Sequence, residues 1–227
     1  MIKVENVEVW GWQAAIRGMR NPLESWGRSD SEYYPMLILG KNDLALMRKL
    51  FDAGTEHRKF MRMLHVQMDI TAPLYWWKEM ETYKVGTVVN SCSSMHKLGS
   101  KEFDLRDFSY ENLSPEAMQV LNALTVFLNT AREGYLEAVE ANDPKAAKQF
   151  WWDMIQSLPT SYNQKRTIDM NYEVAATIYR QRKGHKLYEW SDFIDTLLKE
   201  LPYLPDIMGI DKEEKNGTAE GEKQDES

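Results

Sequence analysis

Apolar and polar positions alternate twice in the first third of the chain. Ile2, Val4, Val7 and Val9 trace an edge-like strand over 2–9, with a slip in the pattern near Asn6. Leu64, Val66, Met68 and Ile70 stand against His65, Gln67 and Asp69, which predicts a half-buried strand over 64–70. Elsewhere the period is helical. Leu44, Met47, Leu50 and Phe51 share one face of a helix over 42–53, opened by Asn42 or Asp43 as cap and stopped at Gly54-Thr55. Pro73 permits the start of a short aromatic helix over 74–80. Ser114-Pro115-Glu116 is a strong helix start, and Met118, Leu121, Leu124, Leu128, Ala131, Tyr135 and Val139 carry that helix to about Glu140. Asn142-Asp143-Pro144 opens another helix, which ends before Pro159. Two more follow, over 171–182 and 190–201, after which Pro202 and Pro205 end the fold. Residues 160–169 fit neither period. Gly11 to Pro35 reads as a long polar and aromatic loop, and 82–100, rich in Ser, Thr and Gly, as a second one. Helices outweigh strands, so the class is α+β.

Composition narrows the function more than the fold. The 227 residues suit one domain over 1–210. Residues 211–227, with seven acidic and three basic residues and no large apolar one, read as a disordered acidic tail. A net charge of −7 argues against nucleic acid as partner, while a small anion needs only a local basic cluster. One cysteine allows no internal disulfide and fits a reducing compartment. There is no apolar run long enough for a membrane span and no signal-peptide core at Met1-Ile2-Lys3-Val4-Glu5, so the expectation is a cytoplasmic protein with no membrane partner. Gly-rich dinucleotide turns and phosphate loops are absent. The histidines at 57, 65, 96 and 185 are scattered and Cys92 has no metal-ligand spacing around it, so no metal site is expected. The 8 Trp and 11 Tyr suit a core, a subunit interface or a flat heterocyclic ligand.

Two segments carry more. One runs Ala72-Pro73, Trp76-Trp77-Lys78-Glu79, Thr82-Tyr83-Lys84, then Thr87, Asn90, Ser91, Cys92, Ser93, Met95 and His96. The other runs Leu158-Pro159, Asn171, Arg180-Gln181-Arg182 and His185 to Glu189-Trp190. In order and spacing they resemble the flavin-dependent thymidylate synthases, which carry Ala-Pro, an Arg-His-Arg triplet, a Ser-x-Asn-Glu-x-Ser-x-Arg-Tyr loop and, later, Leu-Pro, Asn, Arg and His-Ala-Gln-x-Glu. The triplet is degenerate here, since only Lys84 keeps its charge. Ser91 replaces the motif Glu, Met95 the Arg and His96 the Tyr, and Ile155 stands where an Arg precedes Leu-Pro.

The resemblance implies helices packed on a small antiparallel sheet, an FAD cofactor, NADPH and methylenetetrahydrofolate as co-substrates, dUMP as the nucleotide substrate, and a homotetramer. It places His57, Lys84, Thr87, Asn90, Asn171 and His185 on the cofactor side. It places Glu79, Ser93, His96 and Arg182 on the substrate side, with Ser93 and Arg182 in catalytic positions. The lost guanidinium groups imply a weakened nucleotide half, unless Arg17, Arg20 and Arg28 of the first loop replace them. Other readings stay open at the level of the residues. Trp76-Trp77 stack on a ring or simply fill a core. Lys84 and Arg182 hold a phosphate or are solvated, and Asn171 is a ligand contact or a helix cap. At the level of function, the alternatives are a divergent relative with a different pyrimidine modification and a non-catalytic binding protein.

Overall fold

The computed structural model describes residues 1–93 and 98–210. The expected acidic tail at 211–227 and His96 lie outside the described residues. Four strands, β1 (Lys3–Trp10), β2 (His65–Pro73), β3 (Thr87–Ser91) and β4 (Asn163–Asn171), form one sheet in the order β1-β2-β4-β3. All neighbours are antiparallel: Trp10 stacks on His65, Tyr172 N bonds Leu64 O while Leu74 N bonds Tyr162 O, and Cys92 N bonds Lys165 O. Eight helices accompany the sheet among the described residues: α1 (Trp12–Arg20), α2 (Lys41–Asp52), α3 (Leu74–Met80), α4 (Pro115–Glu140), α5 (Pro144–Ser157), α6 (Tyr172–Arg182), α7 (Tyr188–Glu200) and α8 (Leu204–Met208). The α+β class with a small antiparallel sheet is thus observed. Contacts group into two compact units, one of Met1–Lys3, Ile70–Thr82 and Val89–Thr167, the other of Val4–Asp69, Tyr83–Val88 and residues from Ile168 onward.

The first unit is built on the α4–α5 hairpin. Ser114 caps α4 by accepting from Ala117 N, and Asp143 caps α5 by accepting from Lys145 N and Ala146 N, so both predicted starts hold. The hairpin closes tightly at Gly134, where a β-carbon would stand 2.6 Å from the Phe150 ring. Leu98, Phe103, Phe108, Leu121, Leu128, Ala131 and Met154 form its core. The Asn129 amide clamps the backbone of Phe103, donating to its O and accepting from its N. Trp76 and Trp77 are fully buried, with Trp77 Nε1 donating to Gln164 O and the Arg166 guanidinium lying over the Trp77 ring. The Trp pair fills a core and is no stacking platform for a ligand.

The second unit corrects the first predicted loop. Residues 12–20 are a helix, with Trp12, Ala15, Ile16 and Met19 buried. Gly11 precedes it at φ 99, where a β-carbon would lie 2.0 Å from Met63 O. The rest of the loop is ordered by one carboxylate. Asp43, fully buried, accepts from Arg20 Nε at 2.7 Å, from Ser29 Oγ and Ser31 Oγ at 2.8 and 2.7 Å, and from Asp30 N and Ser31 N. Burial pushes the Asp43 carboxyl up, but the bonds from Ser31, Ser29 and Arg20 outweigh it and hold it below the ordinary carboxylate range. Neither Asn42 nor Asp43 caps α2. The Asp30 carboxylate takes that part, accepting from Asn42 N and Asp43 N, and Gly40 leaves room for it. Two further corrections follow from pairing and packing. The second predicted loop contains strand β3, and a short α8 follows Pro202, with Pro205 in its first turn.

Candidate functional site

Within the second unit, Arg182 is the centre of a fixed constellation. It lies in the last turn of α6, where a cation is favoured by the helix dipole. Its Nε donates to Tyr83 Oη at 3.0 Å. Its guanidinium lies 4.7 Å from the Trp190 ring centroid and 5.7 Å from that of Tyr83. Leu187 N donates to His185 Nδ1 at 3.2 Å, and His185 Nε2 lies 3.3 Å from Arg182 Nη1, so the imidazole is held between a backbone amide and the guanidinium.

Asn171 caps α6, its Oδ1 accepting from Val174 N, so the helix-cap reading of this residue holds. Its Nδ2 reaches the backbone at Gly86, φ 80, where a β-carbon would be 2.6 Å away. Thr87 follows directly, its Oγ1 buried and without a hydrogen-bond partner among the described residues. The amide and the hydroxyl therefore border one short stretch of backbone. Lys84 and His57 are exposed. Arg20 is committed to Asp43, which removes it as a replacement for a lost phosphate-binding arginine.

In the first unit, Ser93 lines a cavity of about 310 Å³, together with Thr71, Cys92, Lys101, Tyr162 and Lys165. Strand β4 forms one wall: Gln164 Nε2 donates to Cys92 O, and Cys92 N donates to Lys165 O. Burial, with Asp107 and Cys92 adding to it, pushes the Tyr162 phenol up, so it stays a neutral hydrogen-bonding group at physiological pH. Asn90, near the end of β3, is exposed, and Glu79 on α3 is half-buried.

The structure therefore joins Arg182 with His185, and sets Asn171 against the backbone of Gly86, next to Thr87. It gives Ser93 a cavity of its own. Sequence reasoning quoted Trp190 without giving it a role, and did not single out Lys101, Asn163, Tyr162 or Lys165. The last three belong to residues 160–169, where Gln164 occupies an inward position and breaks the apolar alternation.

No protein-family model and no curated protein matches the chain. Solved structures do. A thymidylate synthase X from Helicobacter pylori, crystallised with FAD and dUMP, superposes with a TM-score of 0.64 at 16% identity, covering 92% of this chain and 97% of the other. Another structure of the flavin-dependent thymidylate synthase from Helicobacter pylori, complexed with FAD and dUMP, gives 0.61 at 17% identity, covering 90% and 97%. Likeness at this level of identity establishes a shared fold.

Proposed function

We propose that the chain is a flavin-dependent thymidylate synthase-type enzyme: a cytoplasmic homotetramer, with residues 1–210 as its functional domain, that binds FAD and a pyrimidine nucleotide. The observation that carries this reading is the shared fold over nearly the full length of both chains, with solved neighbours that hold FAD and dUMP. The residues present fit a flavin nucleotide. The Arg182 guanidinium, with His185 beside it, is a fixed cationic corner of the kind an anionic or carbonyl-rich ligand requires. The Thr87 hydroxyl is a buried polar group with no protein partner among the described residues. In this reading His57, Lys84, Thr87, Asn90, Asn171 and His185 hold FAD, while Glu79, Ser93, His96 and Arg182 face the nucleotide.

When bound, the flavin supplies hydride, delivered from NADPH, to a one-carbon unit transferred from methylenetetrahydrofolate to dUMP. The protein's part is position and charge. Tyr83 and Trp190 fix the plane of the Arg182 guanidinium, so its orientation is set by the protein itself. His185 is oriented by Leu187 N, which donates to its Nδ1.

The substitutions Ser91, Met95 and Ile155 favour a second reading, in which a divergent relative binds flavin and nucleotide but carries out a different pyrimidine modification. Transfer of isotope from labelled methylenetetrahydrofolate to dUMP, with NADPH as reductant, tests the first reading. A flavin-loaded chain that transfers none supports the second. A chain that purifies without flavin absorbance and gains none with added FAD rejects both.

A further inference from the structure

We infer that the cavity beside Ser93 is a phosphate-recognising site whose cations are Lys101 and Lys165, and that its ligand is a nucleoside monophosphate. The inference rests on the nucleotide-binding reading above and names the groups that perform it in this chain. The sequence has no arginine at Met95 or Ile155, the positions where the resemblance leads one to expect phosphate-binding charge. The cavity supplies two ammonium groups instead, from positions the resemblance does not mark.

Lys101 is held in place by an ion pair with Asp107, which also accepts from Asp104 N. An ammonium has three donors and that contact uses one, so Lys101 is anchored with donors to spare. Lys165 comes from β4, where its backbone is fixed by pairing with Cys92, and its side chain is half-buried. Between the two lysines the wall is rich in donors. Ser93, Ser100 and Thr71 carry hydroxyls, and Tyr162 is a neutral phenol.

Asn163 adds an independent observation. Its Oδ1 accepts from Ser109 Oγ at 2.8 Å, yet its Nδ2 is buried and has no hydrogen-bond partner among the described residues. A buried donor left unpaired is costly, and an oxygen-rich ligand in this cavity satisfies it. Leu98 and Phe103 form an apolar side that suits a sugar or a base face. The volume, about 310 Å³, falls at the small end of ligand pockets, roughly 300–1,000 Å³, as a monophosphate requires.

The test uses the full chain and three probes, dUMP, deoxyuridine and inorganic phosphate, titrated calorimetrically, with flavin content read from absorbance in each preparation. The wild type is expected to bind dUMP roughly tenfold or more tighter than deoxyuridine, and Lys101→Gln and Lys165→Gln each to lose roughly tenfold for dUMP alone. Lys101→Arg and Lys165→Arg are expected to keep the preference, which shows that charge rather than folding is being read. Equal affinity for dUMP and deoxyuridine, or a preference untouched by both Gln variants, overturns the inference whatever the flavin content. Inorganic phosphate binding without dUMP binding overturns the assigned ligand class. A lysine-dependent preference for dUMP in a chain that takes up no flavin supports this site and rejects the flavin reading instead.

Discussion

Single residues decide two features of this molecule. Asp43, fully buried, accepts from Arg20, Ser29, Asp30 and Ser31 and so ties both ends of the segment from Arg20 to Ser31 to α2. Asp43→Asn leaves Arg20 buried and uncompensated, and is expected to cost about 3–5 kcal/mol in denaturant unfolding. Because its native pKa is depressed, the carboxylate's contribution is fully present above about pH 4, the ordinary aspartate value, and is lost as pH falls through the native value. Stability measured down through that range should decline in the wild type, and decline less in Asp43→Asn. Tyr83 acts more locally. Tyr83→Phe keeps the ring against Trp190 but removes the acceptor for Arg182 Nε. The expected loss is about 1 kcal/mol, with faster solvent exchange of the Arg182 Nε–H signal in NMR. Gly86→Ala is the harsher change, since it places a methyl group 2.6 Å from the Asn171 amide at a positive φ. A loss of about 1–3 kcal/mol is expected from strain alone, read as a lower melting temperature.

At the scale of elements, Asn171 has two parts that substitutions can separate. Asn171→Ala removes the α6 cap and is expected to cost about 1 kcal/mol, whereas Asn171→Ser keeps a capping oxygen. If the Asn171 amide also holds flavin, flavin content falls in both variants while stability falls mainly in the first. With His57→Ala and Lys84→Ala added, flavin content should fall further; full flavin content in the triple variant rejects the assignment. Helices with a cap and a proline start, α4 and α5, were legible to within a residue, because Ser114-Pro115 and Asp143-Pro144 are local signals. The α3 helix and strand β2 were legible for the same reason, a clean period next to Pro73. Helix α1 was not read, although Trp12, Ala15, Ile16 and Met19 lie at helical spacing, since Gln13, Arg17 and Gly18 between them look like loop. Strand β3 carries exposed Val88 and Val89, and β4 places Gln164 inward. Strands without alternation are defined by their partners, and partners are not visible in one sequence. The same limit applies to the site. Motif spacing pointed to Arg182 and His185, but the cavity wall joins residues far apart in the chain, which no spacing encodes.

For the whole molecule, two measurements bear on assembly and extent. Light scattering at micromolar concentration should give four subunit masses; a single subunit mass rejects the homotetramer. A chain ending at Ile210 should keep the melting temperature of the full chain, because the residues removed are charged and small. The composition of the two units has a different kind of consequence. One unit joins Met1–Lys3 to Ile70–Thr82 and Val89–Thr167, and the other joins Val4–Asp69 to Tyr83–Val88 and, among the described residues, 168–210. A ribosome delivers the chain from one end only. The segment Val4–Asp69 therefore waits for the rest of its unit until residues beyond Ile168 have been synthesised. At synthesis rates of about 5–20 residues per second, the wait is several seconds or more. During that interval the incomplete unit is the part of the nascent chain most open to misassembly, and a message truncated before Ile168 yields a product that holds one unit whole and only part of the other.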